Sequence, residues 1–158
     1  MIVSKFGGTS VGTFQAMQKS AEIVSEDVDR SFIVISATSG TTNDLVALMS
    51  PELDSTAREA IIIRIKERHL SIIQKLGSPE KAEISFKEEL TQLRQHLDQV
   101  ARDKRWKDRL VSFGELMSTK IFIEVLKESG VDAEWIDARE ILKTDSTFGN
   151  ATPVFFFF

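Results

Sequence analysis

Ile2-Val-Ser-Lys-Phe6 running into Gly7-Gly8, and Ser31-Phe-Ile-Val-Ile-Ser36 running into Ala37-Thr-Ser-Gly-Thr-Thr-Asn-Asp44, decide the fold of this chain. Both are short, apolar, β-prone runs that stop at small and polar residues. Between them Phe14, Met17, Ala21 and Val24 recur at helical spacing over residues 13–25. Strand, helix and strand within about 36 residues is the βαβ unit of a parallel sheet. The second run is nearly all apolar, which predicts burial on both faces. Residues 37–44 read as a polar turn. Both Gly-containing turns follow strands of one direction, so both belong on the carboxyl rim of the sheet, where ligands bind in open α/β folds.

Outward from this unit the pattern changes. Residues 52–109 carry 24 of the chain's 44 charged side chains, 13 positive and 11 negative. Ile62, Ile65, His69, Ile72 and Leu76 form one stripe at helical spacing, and Phe86, Leu90, Leu93, Leu97 and Val100 form another. Gly77-Ser78-Pro79 interrupts them, which predicts two antiparallel helices over 55–103 with a solvated charged face. His69 lies on the apolar stripe and reads as a packed structural histidine; His96 reads as surface. Trp106 and Trp135 read as core or interface residues. A further helix is expected over 110–128, ending at Gly130 as a C′ residue. Residues 133–137 are a candidate third strand, 138–142 a short helix, and 144–153 a turn-rich segment.

The composition excludes several classes. A length of 158 residues with 42% hydrophobic and 28% charged side chains suits one globular domain. A net charge of −4 argues against a nucleic-acid binder, whose footprint is basic. No apolar run approaches the roughly 18–20 residues of a membrane span, and no signal peptide is visible. Cysteine is absent and there are two histidines, so neither a disulfide framework nor a zinc cluster is expected, and no metal ligands are assigned. A cytoplasmic location is the default. The terminal Val154-Phe-Phe-Phe-Phe158 is anomalous: four successive Phe codons make a T-rich tract, and a frameshift or truncated frame near Pro153 is the expected origin.

Three segments carry candidate chemistry. In Lys5-Phe6-Gly7-Gly8-Thr9-Ser10, glycines allow a close backbone approach and a lysine adds a charge suited to phosphate oxygens. The order of residues is neither a Walker A loop nor G-x-G-x-x-G. A tight βα turn with a solvated lysine accounts for the same residues without a ligand. Ser36-Ala-Thr-Ser-Gly-Thr-Thr-Asn43 offers small hydroxyl and amide groups for a polar substrate, or ordinary turn and capping chemistry. In Ser112-Phe-Gly-Glu115, the carboxylate either favours the helix dipole or contacts an ammonium group.

Taken in order, Val3-Ser-Lys-Phe-Gly-Gly-Thr-Ser-Val11, Val34-Ile-Ser-Ala37 with Gly40-Thr-Thr-Asn43, and Phe113-Gly-Glu-Leu-Met-Ser-Thr119 resemble the aspartokinases of the amino-acid kinase family. Asp137-Ala138 and Phe148-Gly-Asn-Ala-Thr-Pro153 continue the match, which spans about 1–153 and looks most like the lysine-sensitive branch. The resemblance implies an α/β fold, a three-layer αβα arrangement with a mostly parallel sheet, of which 1–153 is the N-terminal portion and 55–103 a helical hairpin insertion.

It further implies transfer of the ATP γ-phosphoryl group to L-aspartate, giving 4-phospho-L-aspartate and ADP, with Mg²⁺ accompanying the nucleotide. This reaction opens lysine, threonine and methionine biosynthesis. Lys5 would be the catalytic residue. Lys5, Phe6, Gly7 and Gly8 would meet the ATP phosphates, and Ser36, Thr42 and Glu115 would bind aspartate, Glu115 through its α-ammonium. The partners implied are these small molecules, with no nucleic acid or membrane, and a homo-oligomer for the full-length family member. The family's kinase domain continues with a nucleotide-base site and further aspartate contacts, followed by regulatory domains. The isolated chain is therefore expected to be inactive. The alternatives are a non-catalytic interaction fragment, a phosphate-binding module, or a kinase of the same fold with another acceptor, against which the Glu115 string speaks.

Overall fold

The computed structural model describes residues 1–99 and 103–154. Strands β1 (Val3–Phe6) and β2 (Phe32–Ile35) pair in parallel, with Val3 opposite Phe32 and Lys5 opposite Val34. Helix α1 (Phe14–Ser25) is the crossover between them. Thr13 caps it, its side chain accepting from the Ala16 amide, which satisfies one of the orphan donors of a helix start. A 3-10 turn, Gly8–Val11, links β1 to α1.

Beyond β2 lie α2 (Thr41–Ala47), α3 (Ser55–Ile73), α4 (Glu80–Leu97), α5 (Lys104–Glu128) and α6 (Ala138–Ile141). Helix α5 is central: it packs on α4, α2, α1, α3 and β2. It buries Trp106, Leu110, Phe113, Met117, Ile121, Phe122, Val125 and Leu126, each worth roughly 1.5–3 kcal/mol relative to exposure. Phe6 of β1 meets Phe122 at a ring separation of 6.2 Å, which seats the sheet on this helix. The pairs Glu59–Arg94 and His69–Phe86 run in opposite chain directions, so α3 and α4 are antiparallel.

Helix α5 begins at Lys104 rather than Leu110, because Asp103 accepts from the Trp106 amide at 2.8 Å and caps it. Its other end meets the expectation. Gly130 takes φ +78°, the Val131 amide donates to Leu126 and the Gly130 amide to Lys127, the Schellman pattern.

Several expectations are corrected. Strand β2 is not buried on both faces: Phe32 and Val34 are each 50% exposed. Helices cover the face bearing Phe6 and Ile35, while Val3, Lys5, Phe32 and Val34 share the other, which no described helix covers. Residues 133–137 are not a strand, since no described ladder partner takes their amides. The 37–44 turn is half helix, because α2 starts at Thr41 after Gly40 turns the chain at φ +84°.

His96 is buried, not on the surface, stacked on Trp106 at 5.1 Å. Helix α4 is flanked by α3 and α5 together, so its buried stripe is wider than one apolar row. His69 is packed as expected, fully buried against Phe86. Val100 and the Phe155–Phe158 tail lie outside the described residues. No helix among the described residues is long and apolar enough to cross a membrane.

Candidate functional site

Parallel pairing brings the carboxyl ends of β1 and β2 side by side, and backbone hydrogen bonds join the turns that follow. The Ser36 amide donates to the Phe6 carbonyl at 3.1 Å and the Ser39 amide to the Gly8 carbonyl at 3.2 Å. A Cβ on Gly8 would lie 2.8 Å from the Ala37 carbonyl oxygen, so only glycine permits this contact. Gly7 differs: nothing described lies within 4 Å of its Cβ position. Packing does not require glycine there, and the backbone is bare on that side. Lys5 projects from the open face of β1, exposed, with no hydrogen bond or ion pair among the described residues.

Helix α5 holds the 36–40 turn from one side. Ser118 donates from Oγ to the Ser36 carbonyl at 2.8 Å, and Glu115 Oε1 accepts from the Ala37 amide at 3.3 Å. A Cβ on Gly114 would stand 2.7 Å from that of Ala37, so this glycine lets the helix reach the turn. Helix α3 holds it from the other side. Asp44, buried in the first turn of α2, takes Arg64 Nε and Nη2 on one oxygen at 2.9 and 2.5 Å. Arg68 Nη2 lies 2.8 Å from the other oxygen, and Arg68 Nη1 donates to Thr41 Oγ1 at 3.3 Å. Burial pushes the Asp44 carboxyl up, but the hydrogen bonds and charges of Arg64 and Arg68 outweigh it and hold the group below its ordinary value.

Gly8, Ser36 and Glu115 therefore converge around Ala37. Thr42 stands exposed on the outer side of the α2 turn whose inner side carries Thr41 and Asp44. The rim combines an unpaired lysine, a bare backbone at Gly7, hydroxyls and an accessible carboxylate. Such a set can take an anion at one end and an ammonium group at the other. Three contributors lie within the segments 34–37 and 113–119 but have contacts that the sequence reading does not assign. Gly114 had a signal, since glycine inside a helix costs about 1 kcal/mol against alanine and calls for a packing reason. Ser118 and the Ala37 amide had none, being joined to their partners only by the fold. Among the described residues no three His, Asp or Glu side chains are grouped to hold a metal ion.

The family model for the amino acid kinase family matches residues 1–154. This chain belongs to the amino acid kinase family. Within the family it is similar to lysine-sensitive aspartokinase 3 of Escherichia coli, 38% identical over 97% of this chain and 34% of the relative. Crystal structures of E. coli aspartokinase III superpose with a TM-score of 0.92 in the complex with lysine and aspartate and 0.91 in the complex with aspartate and ADP. Both matches cover 98% of this chain and 35% of the other. The chain thus spans about a third of the length of these relatives, and its mixed α/β fold is the N-terminal portion of the amino acid kinase fold.

Proposed function

We propose that this amino acid kinase chain carries the phosphate-facing and aspartate-facing contacts of an aspartate kinase. The reaction joins a side-chain carboxylate oxygen of L-aspartate to the γ-phosphorus of ATP. The bond from that phosphorus to the bridging oxygen breaks, and ADP leaves. This gives 4-phospho-L-aspartate, the first step toward lysine, threonine and methionine. The observation that carries the reading is the meeting of the Lys5–Gly8 turn, the Ser36–Thr42 turn and Glu115 on one rim.

Phosphoryl transfer needs mainly positioning and charge neutralisation. Lys5 neutralises charge on the phosphoryl group, and the backbone of Phe6, Gly7 and Gly8 lies along the phosphates. Ser36 and Thr42 hold aspartate by their hydroxyls. Glu115 faces its α-ammonium while the Ala37 amide keeps the carboxylate oriented. Mg²⁺ bound with the nucleotide would add further charge neutralisation at the phosphates.

The 158 residues alone do not turn over aspartate in this reading. The arginines that reach the substrate turn, Arg64 and Arg68, are both engaged by Asp44. A non-catalytic interaction fragment is the second reading, favoured by the open sheet face of Val3, Phe32 and Val34.

The test is a coupled ADP assay at saturating Mg-ATP, with and without aspartate, on the product of the complete reading frame and on the 158-residue chain. Aspartate-dependent turnover is expected only from the former. Lys5→Ala there should lower kcat by about 100-fold or more, with the aspartate KM nearly unchanged. Turnover that ignores aspartate defeats the substrate assignment. Full activity after Lys5→Ala removes the lysine from its role.

A further inference from the structure

We propose that Arg68 is a positioning residue for the aspartate-binding turn, acting from helix α3 through Asp44 and Thr41 to fix the orientation of Thr42. This rests on the aspartate kinase reading above and adds to it a residue from the charged helical pair.

The geometry is specific. Arg68 reaches two points of the first turn of α2 with one guanidinium: Nη1 to Thr41 Oγ1 at 3.3 Å and Nη2 to Asp44 Oδ2 at 2.8 Å. Its side chain is 22% exposed and that of Asp44 9%, so water competes weakly for either contact. Gly40, at φ +84°, lays its backbone against the same group: a Cβ there would stand 3.1 Å from Nη2. The left-handed turn and the arginine thus share one contact surface. Arg64 closes the opposite oxygen of Asp44, which keeps the carboxylate from swinging.

Thr41 is fully buried and its neighbour Thr42 is exposed. With the inner side of the turn pinned at Thr41 and Asp44, Thr42 is held on the exposed side of the same turn. Lysine cannot replace this guanidinium in full, because a single ammonium does not present a planar fork to two acceptors at once. Displacements of about 1 Å in a substrate-holding group can cost on the order of 100-fold in rate, so the second-layer contact has a measurable consequence.

The experiment compares wild type, Arg68→Ala, Arg68→Lys and Thr41→Val in the product of the complete reading frame. It measures kcat and separate KM values for aspartate and ATP, with the folded fraction fixed by circular dichroism. Arg68→Ala should raise the aspartate KM about tenfold or more while the ATP KM stays within about twofold. Arg68→Lys should fall between it and wild type. Thr41→Val removes one acceptor without touching the ion pair, and should raise the aspartate KM by a few-fold; it decides the matter if Arg68→Ala does not fold. Unchanged aspartate KM in Thr41→Val and in any folded Arg68 variant overturns the proposal, as does a loss confined to the folded fraction or spread equally over both substrates. A wild type with no aspartate-dependent ADP production overturns the kinase reading itself and the positioning role with it.

Discussion

Gly114 stands where a single methyl group would separate two elements. Its Cβ position is 2.7 Å from the Ala37 Cβ, closer than carbon atoms pack, and 3.4 Å from Leu45 Cδ1, in van der Waals contact. Gly114→Ala gains helix propensity of about 1 kcal/mol and meets an overpacking cost of typically 1–3 kcal/mol. The expected outcome is a net loss of stability by urea unfolding, together with a weakened Glu115 contact to the Ala37 amide. On the proposed aspartate kinase function, that second effect should appear as a raised aspartate KM. A more stable variant with unchanged aspartate KM would show that the helix and turn can part without consequence. Gly7 lacks any such packing neighbour, which is why two adjacent glycines in one turn have different reasons to be glycine.

The α4–α5 pair carries a test at the scale of elements. Lys120 Nζ contacts Glu89 Oε1 at 2.5 Å across the two helices and lies 5.1 Å from the Trp135 ring centroid. The side chains are 21% and 4% exposed, so this ion pair is set apart from the solvated charges of the hairpin. Removing one partner leaves the other charge stranded, at a cost of about 3–5 kcal/mol. Lys120→Met and Glu89→Leu should each be strongly destabilised. The double variant should lose less than the sum of the two and less than the worse single. Strict additivity in urea titrations would mean that the two groups do not depend on one another. The same helices explain His96. Its Nε2 lies 2.8 Å from the Trp106 carbonyl oxygen and the Trp106 indole donates to the His96 carbonyl. A polar residue on what reads as the outer face of one helix is thereby enclosed by the next.

For the whole molecule, the buried histidine sets an acid limit. Burial pushes the His69 imidazole down to about 4, below its ordinary 6.5, with the neighbouring Arg68 charge acting in the same direction and the Ile65 carbonyl opposing. The unfolded chain therefore binds this proton more readily than the folded one. Stability from the neutral ring is complete above about pH 6.5 and is lost as pH falls toward 4, amounting to about 3 kcal/mol. Urea unfolding at pH 7 and pH 5 should show a larger drop for wild type than for His69→Leu, which cannot titrate there. Equal drops would assign the acid loss to carboxylates instead.

What the sequence by itself determined is local or directional. Short apolar runs bounded by turn residues placed β1 and β2, helical spacing placed α1, and parallel strand direction put Gly7-Gly8 and Ser36–Thr42 on one rim. Gly130 ended α5 because only a left-handed residue closes that helix, and the KFGGTSV string with the Glu115 segment pointed to the family. What the tertiary structure decided depends on atoms far apart in the chain. The Ala37 amide meets Glu115 across 78 residues and Ser118 meets the Ser36 carbonyl across 82. Arg68 reaches Thr41 from another helix, and the exposed face of β2 follows from which elements lie over it. No periodicity encodes such contacts, because spacing fixes which way a side chain leaves its own helix or strand and says nothing of what the fold places opposite it.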